Sequence, residues 1–175
     1  AEITGQNVSI SGTILTNENI SLKAAELLTV TNELESKTGN IVLEGKECRL
    51  EGKLATNETG SVEVTATNGT LGVAGEIASA GNVNLTSTGK INLESIVTAK
   101  EKLTATSSNE DVLLTNTSSV SATSAEITGQ NVSVSGTILT DENLNLKAAE
   151  LLTVTNELES KTGNIVLEGK ECSLE

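Results

Sequence analysis

The groups in this chain that could do chemistry are carboxylates, two thiols and a set of asparagines. There are 24 Asp and Glu residues against 11 Lys and Arg, and no His. The acids include Glu33, Glu35, Glu44, Glu47, Glu51, Glu63, Glu110 and Asp111. Acid–base hydrolysis needs two carboxylates converging in a cleft, with their pKa values pushed apart. Nothing in the pattern predicts a cleft, and the chain has no aromatic ring on which a sugar could stack. These carboxylates are expected to form a solvated face and no catalytic pair. Calcium-binding glycine nonapeptides are absent, which leaves only weak cation binding by stacked acids. Cys48 and Cys172 stand 124 positions apart. With no His and no CxxC pair, a transition-metal site is not expected, nor is any cofactor. Seven Asn-x-Ser/Thr triplets begin at Asn7, Asn19, Asn57, Asn68, Asn84, Asn116 and Asn131. Asn7, Asn57, Asn68 and Asn116 are the candidate glycosylation acceptors.

Charge and composition narrow the function classes. A formal charge of −13 argues against nucleic acid, whose binding needs cations to neutralise phosphate. It argues equally against an anionic membrane surface. No apolar run approaches the roughly 20 residues that span a bilayer. No signal peptide is visible, and the pattern starts and stops mid-phrase, so the chain reads as an excerpt of a longer protein. Phe, Trp, Tyr, Met, His and Pro are all missing. Rings usually dominate core burial. A core without them must be thin and regular enough for Ile, Val, Leu and Ala to fill.

The elements that position these groups are repeats. Residues 1–51 match 125–175 at all but five positions: Ile10/Val134, Asn17/Asp141, Ile20/Leu144, Ser21/Asn145 and Arg49/Ser173. Two of the five exchange one aliphatic residue for another, as a packed position tolerates. Inside this 124-residue repeat lies a shorter one. The pieces "NISL", "NIVL", "SVEV", "NVNL" and "KLTA" place apolar residues at 20, 41, 62, 83 and 103, with the next landmarks near 124 and 144. The long repeat, residues 1–124, is thus six short ones of about 21 residues, and residues 125–175 begin a second copy.

Each short unit holds three strand-like pieces with period-two alternation, the mark of a strand with one buried face. The first carries Ile20/Leu22, Ile41/Leu43, Val62/Val64 and Val83/Leu85. The second carries Leu28/Val30, Cys48/Leu50, Leu71/Val73, Ile91/Leu93, Val112/Leu114 and Val132/Val134. The third carries Leu34, Leu54, Ile77, Val120 and Ile138. Turn formers separate them: "TGN" at 38–40, "TNETG" at 56–60, "TNG" at 67–69 and "SAGN" at 79–82. "AELLTVTNELE" has helical spacing as well. Its "TVT" is poor helix material, and Leu28 and Val30 share columns with pairs that have no helical character, so strands are expected there.

Three strands and three corners per 21 residues describe one coil of a parallel β-helix, an all-β solenoid running through residues 1–175. Coils stack about 4.8 Å apart, giving about 29 Å for the long repeat and about 40 Å for the chain. One coil cannot stand alone. The burial of its few aliphatic side chains does not offset the entropy lost in ordering its backbone. Stability therefore grows with stacking. Cys48 is expected to be a small buried hydrophobe in the Leu28 column. It lies six coils from Cys172, beyond the roughly 7 Å limit for a disulfide. Val42, Leu113 and Val166 are expected to point outward, as candidate lateral contacts between rods. The triplets "TVT", "TAT" and "TNT" fall in different columns, against an ice-binding face.

The phrases "TGNIVLEGKECRLEG", "AGNVNLTSTGKINLES" and "GQNVSVSGTILT" resemble the repeats of filamentous haemagglutinin-type exoproteins. These are the bacterial two-partner-secretion proteins, among them large adhesins and contact-dependent inhibition stalks. The resemblance covers the full chain and implies a right-handed parallel β-helix, secreted and displayed at the bacterial cell surface as a thin fibre. It implies a structural shaft that spaces a distal binding or effector tip, with no enzymatic role. The implied partners are other copies of the fibre and a receptor engaged by a region outside this chain. The family's amino-terminal secretion domain and its tip are not represented here, and the near-verbatim duplication is more regular than most such arrays. The alternatives are a self-assembling extracellular filament or surface-layer subunit and, remotely, a carbohydrate-active β-helix enzyme.

Overall fold

A computed structural model describes all 175 residues. It contains strands and turns and no helix. The strands pair in parallel across about nine stacked turns, each about 20 residues from the last. Every turn has three faces. The first face opens with strands such as Ile20–Ala24, Ile41–Gly45, Val62–Ala66 and Val83–Ser87. The second uses Leu27–Val30, Glu47–Leu50, Leu71–Val73 and Ile91–Leu93. The third uses Leu34–Ser36, Leu54–Thr56 and Ile77–Ser79. The second face is a sheet of nine strands. The first and third faces together form one sheet of 15 strands, because Ile96–Ser107 and Ser119–Gly129 each run from the third face into the next first face.

Residues 25–35, where helical spacing competes, fold as the strand Leu27–Val30 and the start of the strand Leu34–Ser36, with a corner between them. Leu28 and Val30 stack on Val8 and Ile10 on one side and on Cys48 and Leu50 on the other. A helix there would leave both neighbouring strands without partners. Its β-branched Val and Thr suit the pleated surface instead.

The inward columns are continuous. Ile20 is followed in register by Ile41, Val62, Val83, Leu103, Ala125, Leu144 and Ile165. The landmark expected near 124 is therefore Ala125. The register shifts between Ala99 and Lys102, where the corner is absorbed into one long strand, and the spacing changes with it. From Leu28 the second-face column runs to Leu71, Ile91, Val112, Val132 and Leu152 through Cys48. A single cluster of 41 buried residues, all aliphatic or Cys, fills the interior.

Two polar devices turn the corners. Where the first face begins, one side chain caps the next turn. The backbone N–H of Asn40 donates to Asn19 Oδ1 at 2.8 Å, and that of Ser61 to Asn40 Oδ1 at 2.9 Å. The Asn82 N–H donates to Ser61 Oγ at 3.0 Å, and the Lys102 N–H to Asn82 Oδ1 at 3.1 Å. This ladder is the physical content of the repeated "GN" phrase, since a corner amide needs a partner that the strand ladder cannot supply. At the end of the third face, hydroxyls point inward. Ser36 Oγ donates to the Glu18 carbonyl at 2.7 Å and accepts the Gly39 N–H at 2.9 Å. Thr56 Oγ1 donates to the Gly60 carbonyl at 2.6 Å and lies 3.3 Å from Ser79 Oγ. No buried side-chain polar atom lacks a partner. Where backbones pass closest, glycine is obligatory: a Cβ on Gly75 would lie 2.0 Å from the Gly52 carbonyl oxygen.

Candidate functional site

The residues of the proposed core ladder lie where period-two alternation puts them. Ile20, Leu22, Leu28, Val30, Leu34, Ile41, Leu43, Cys48, Leu50, Leu54, Val62, Val64, Leu71, Val73, Ile77, Val83, Leu85, Ile91, Leu93, Val112, Leu114, Val120, Val132, Val134 and Ile138 are each no more than 1% exposed. Between them Glu63 faces solvent. Alternation alone passes over Val97, which completes the third column between Ile77 and Val120. "IVTAKEKLTATS" has no Gly or Asn to mark its corner, so two faces read as one run. Leu103, Ala105 and Ile127 belong to the same core.

Cys48 packs between Leu28 and Leu71, and its thiol reaches the Thr65 carbonyl at 3.4 Å. Burial pushes its pKa up to about 12, and the nearby Glu47 and Glu44 charges push the same way against a hydrogen bond from the Gly45 backbone. A thiol in that state is a poor nucleophile. Cys172, in the last turn, is exposed, and both cysteines are free.

The carboxylates are spread over the surface as partners in cross-turn pairs. Glu44 meets Lys23 at 2.9 Å, Glu26 meets Lys46 at 2.8 Å, and Glu126 meets Lys102 at 2.5 Å. Glu35 accepts from Asn57 Nδ2 at 2.5 Å, and Asp111 Oδ1 accepts from Asn131 Nδ2 at 2.9 Å. One of the five differences between the copies acts here. Asp141 holds Lys161 at 2.7 Å and, chiefly through that hydrogen bond, raises its pKa above the ordinary lysine value. Asn17 offers Lys37 no such charge, and Lys37 reaches Glu58 at 3.8 Å. No group of three or more His, Cys, Asp or Glu side chains is placed to hold a metal ion.

A depression of about 320 Å³ crosses the second face. Its floor is the outward edge of one turn, where Thr70, Gly72 and Ala74 are all small. Glu47, Arg49 and Glu51 wall it on one side, Asn92 and Glu94 on the other. Arg49 is tied to Glu47, with Nε and Nη2 each donating to Oε1 at 3.0 Å. Gly72 is not demanded by the fold, because a Cβ there would meet nothing nearer than the Cys48 carbonyl at 4.0 Å.

Asn7, Asn57, Asn68 and Asn116 all lie exposed. Asn7 Oδ1 accepts the Leu27 N–H at 3.2 Å, and the Asn57 side chain is engaged with Glu35. Val42 is 36% exposed and Val166 is 40% exposed, six turns apart on the first face, while Leu113 is half-buried on the second. The outward neighbours of Val42 are Ser21 and Glu63, so no apolar stripe runs along that face. The "TVT" and "TNT" triplets lie away from the first face. However, Thr65, Thr86, Thr106 and Thr128 stack in one outward first-face column, next to one that mixes Glu63, Asn84, Thr104 and Glu126.

An aliphatic interior, ladder-capped corners and a polar exterior define a parallel β-solenoid. The haemagglutinin repeat family matches residues 3–46, 58–117 and 113–170. The chain belongs to that family, whose members are structural and adhesive, typically secreted or exposed at the surface. Comparison with curated proteins and with solved structures finds no significant match.

Proposed function

We propose that this chain is part of the shaft of a secreted or cell-surface bacterial fibre, spacing a distal binding or effector region from its anchor. The observation that carries this reading is the continuous ladder: each turn contributes length and the next turn's template. The 124-residue block, residues 1–124, is then a unit of length adjustment, repeated from residue 125. The chain has no enzymatic role in this reading, and its receptor is met by a region beyond these repeats. Nucleic acid and membrane insertion play no part. Asn68 and Asn116, whose side chains make no hydrogen bond within the chain, are the best placed glycan acceptors, ahead of Asn7 and Asn57.

The test is additive length. Inserting a further 124-residue block should lengthen the particle in small-angle scattering by about 29 Å. The purified chain should show no saturable binding to cells. Saturable binding would put receptor recognition in the repeats themselves. The second reading, a self-assembling filament or surface-layer subunit, uses Val42, Leu113 and Val166 as lateral contacts. Particle length rising with protein concentration would favour it. Cleavage of a polysaccharide by the purified chain would revive the remote enzyme alternative.

A further inference from the structure

Asn68–Gly69 is the only Asn-Gly pair in the chain. It occupies the corner between Val62–Ala66 and Leu71–Val73. Asn68 is exposed, and its carboxamide takes part in no hydrogen bond. The Gly69 N–H donates to no backbone or side-chain acceptor. The atoms around this free pair are held. The Asn68 N–H donates to the Lys46 carbonyl at 3.1 Å. The Gly69 carbonyl accepts from Ser87 Oγ at 2.6 Å and from the Gly89 N–H at 3.2 Å. Other asparagines differ in two ways. Asn19, Asn40, Asn82 and Asn143 have their side-chain carbonyls committed to the next turn. The residues that follow them are Ile20, Ile41, Val83 and Leu144, whose side chains crowd the backbone nitrogen.

We propose that Asn68 is a site of spontaneous covalent modification, at which the chain converts its own carboxamide through a succinimide. The Gly69 backbone nitrogen gives up its proton to water and attacks Asn68 Cγ. A C–N bond closes a five-membered ring. The Cγ–Nδ2 bond breaks, and Nδ2 leaves as ammonia with a proton returned from solvent. Water then opens one of the two ring carbonyls. Opening at one leaves an aspartate; opening at the other leaves an isoaspartate, whose main chain runs through the former side chain. No oxidant or cofactor is required. Either product takes the formal net charge from −13 to −14. The isoaspartate adds a methylene to a corner whose next carbonyl is anchored to Ser87 and Gly89, so it loosens the contact between that turn and the following one. Because Nδ2 is the atom lost, the reaction and attachment of a glycan at Asn68 exclude each other.

The experiment incubates the purified 175-residue chain at mildly alkaline pH and follows each asparagine by peptide mass spectrometry, with fragmentation that separates isoaspartate from aspartate. Asn116 is the internal control. Its side chain is also exposed and unbonded, but it precedes the β-branched Thr117. Asn68 should convert on the order of tenfold faster than Asn116, because glycine leaves the attacking nitrogen unhindered. The rate should rise with pH, and the conversion should vanish in Asn68→Gln. Hydrogen exchange at the Gly89 amide should quicken as conversion proceeds. Two outcomes overturn the proposal. In one, Asn68 stays intact in the folded chain while the urea-unfolded chain converts, which would mean that the corner keeps nitrogen and carbonyl carbon apart. In the other, Asn116 converts at an equal rate.

Discussion

Adjacent residues on one strand should respond to substitution with opposite signs, and Leu71 and Gly72 are the sharpest pair. Leu71 is fully buried between Cys48 and Ile91. Truncation to Ala removes packing on both sides at once, and the rigid turns above and below restrict collapse. The expected cost is about 2–5 kcal/mol. In a domain of this size each kcal/mol moves Tm by roughly 2–4 °C, so the loss is about 4–20 °C. Gly72 is one residue away and faces outward, with open space where a Cβ would stand. The same column carries Thr29 and Thr153 without difficulty. Gly72→Thr should therefore raise stability by about 0.5–1 kcal/mol, by reducing unfolded-chain entropy and by better strand propensity. With no Trp or Tyr in the chain, the assay is urea and thermal unfolding followed by far-UV circular dichroism. A Leu71→Ala variant as stable as the parent, or a Gly72→Thr variant losing more than about 1 kcal/mol against the expected gain, would refute the inward–outward assignment of this face.

Three further outcomes follow from the corners and the thiols. Gly75→Ala puts a methyl group 2.0 Å from the Gly52 carbonyl, so it should destabilise at least as much as an overpacked core, about 1–3 kcal/mol in urea titrations. Asn40→Ala removes the acceptor of the Ser61 amide and should cost about 0.5–1.5 kcal/mol; hydrogen exchange at Ser61 should speed up while amides at mid-strand, such as that of Val64, stay protected. Iodoacetamide at neutral pH should label Cys172 and spare Cys48, whose thiol stays protonated until the pH approaches its pKa of about 12; the tryptic peptides Glu47–Arg49 and Glu171–Glu175 report the two sites separately.

The columns of the fold are legible wherever an aliphatic pair is bracketed by Gly or Asn. Val62 and Val64 with Glu63 between them read directly as in, out, in, because nothing else in a ring-free chain can make a core. The corner between Ala99 and Leu103 is different. It is made of charged residues that also suit a strand, so the end of one face and the start of the next merge, Val97 is overlooked, and the following landmark is displaced to Ala125. The "GN" phrase is visible as a motif, but its purpose is not. The Asn19–Asn40–Ser61–Asn82 ladder joins residues about one turn apart and becomes apparent only once the register is known. Inward hydroxyls such as Ser36 and Ser79 look like turn residues in the sequence, yet they are buried and bonded to carbonyls. The second-face depression is not legible in the sequence either, because small residues at Thr70, Gly72 and Ala74 acquire meaning only beside the long side chains of the adjacent turns.

The most direct test of the stacked-turn architecture is a distance ruler along one outward column. Ser21, Glu63 and Asn145 share that column, at the second, fourth and eighth turns. Spin labels are placed pairwise at these positions in a Cys48→Val, Cys172→Ser background and read by pulsed electron resonance. The Glu63–Asn145 pair should lie about 19 Å apart and the Ser21–Asn145 pair about 29 Å, at one strand spacing per turn. A Ser21–Asn145 separation no longer than that of Glu63–Asn145, or a broad distribution without a peak, would contradict the account.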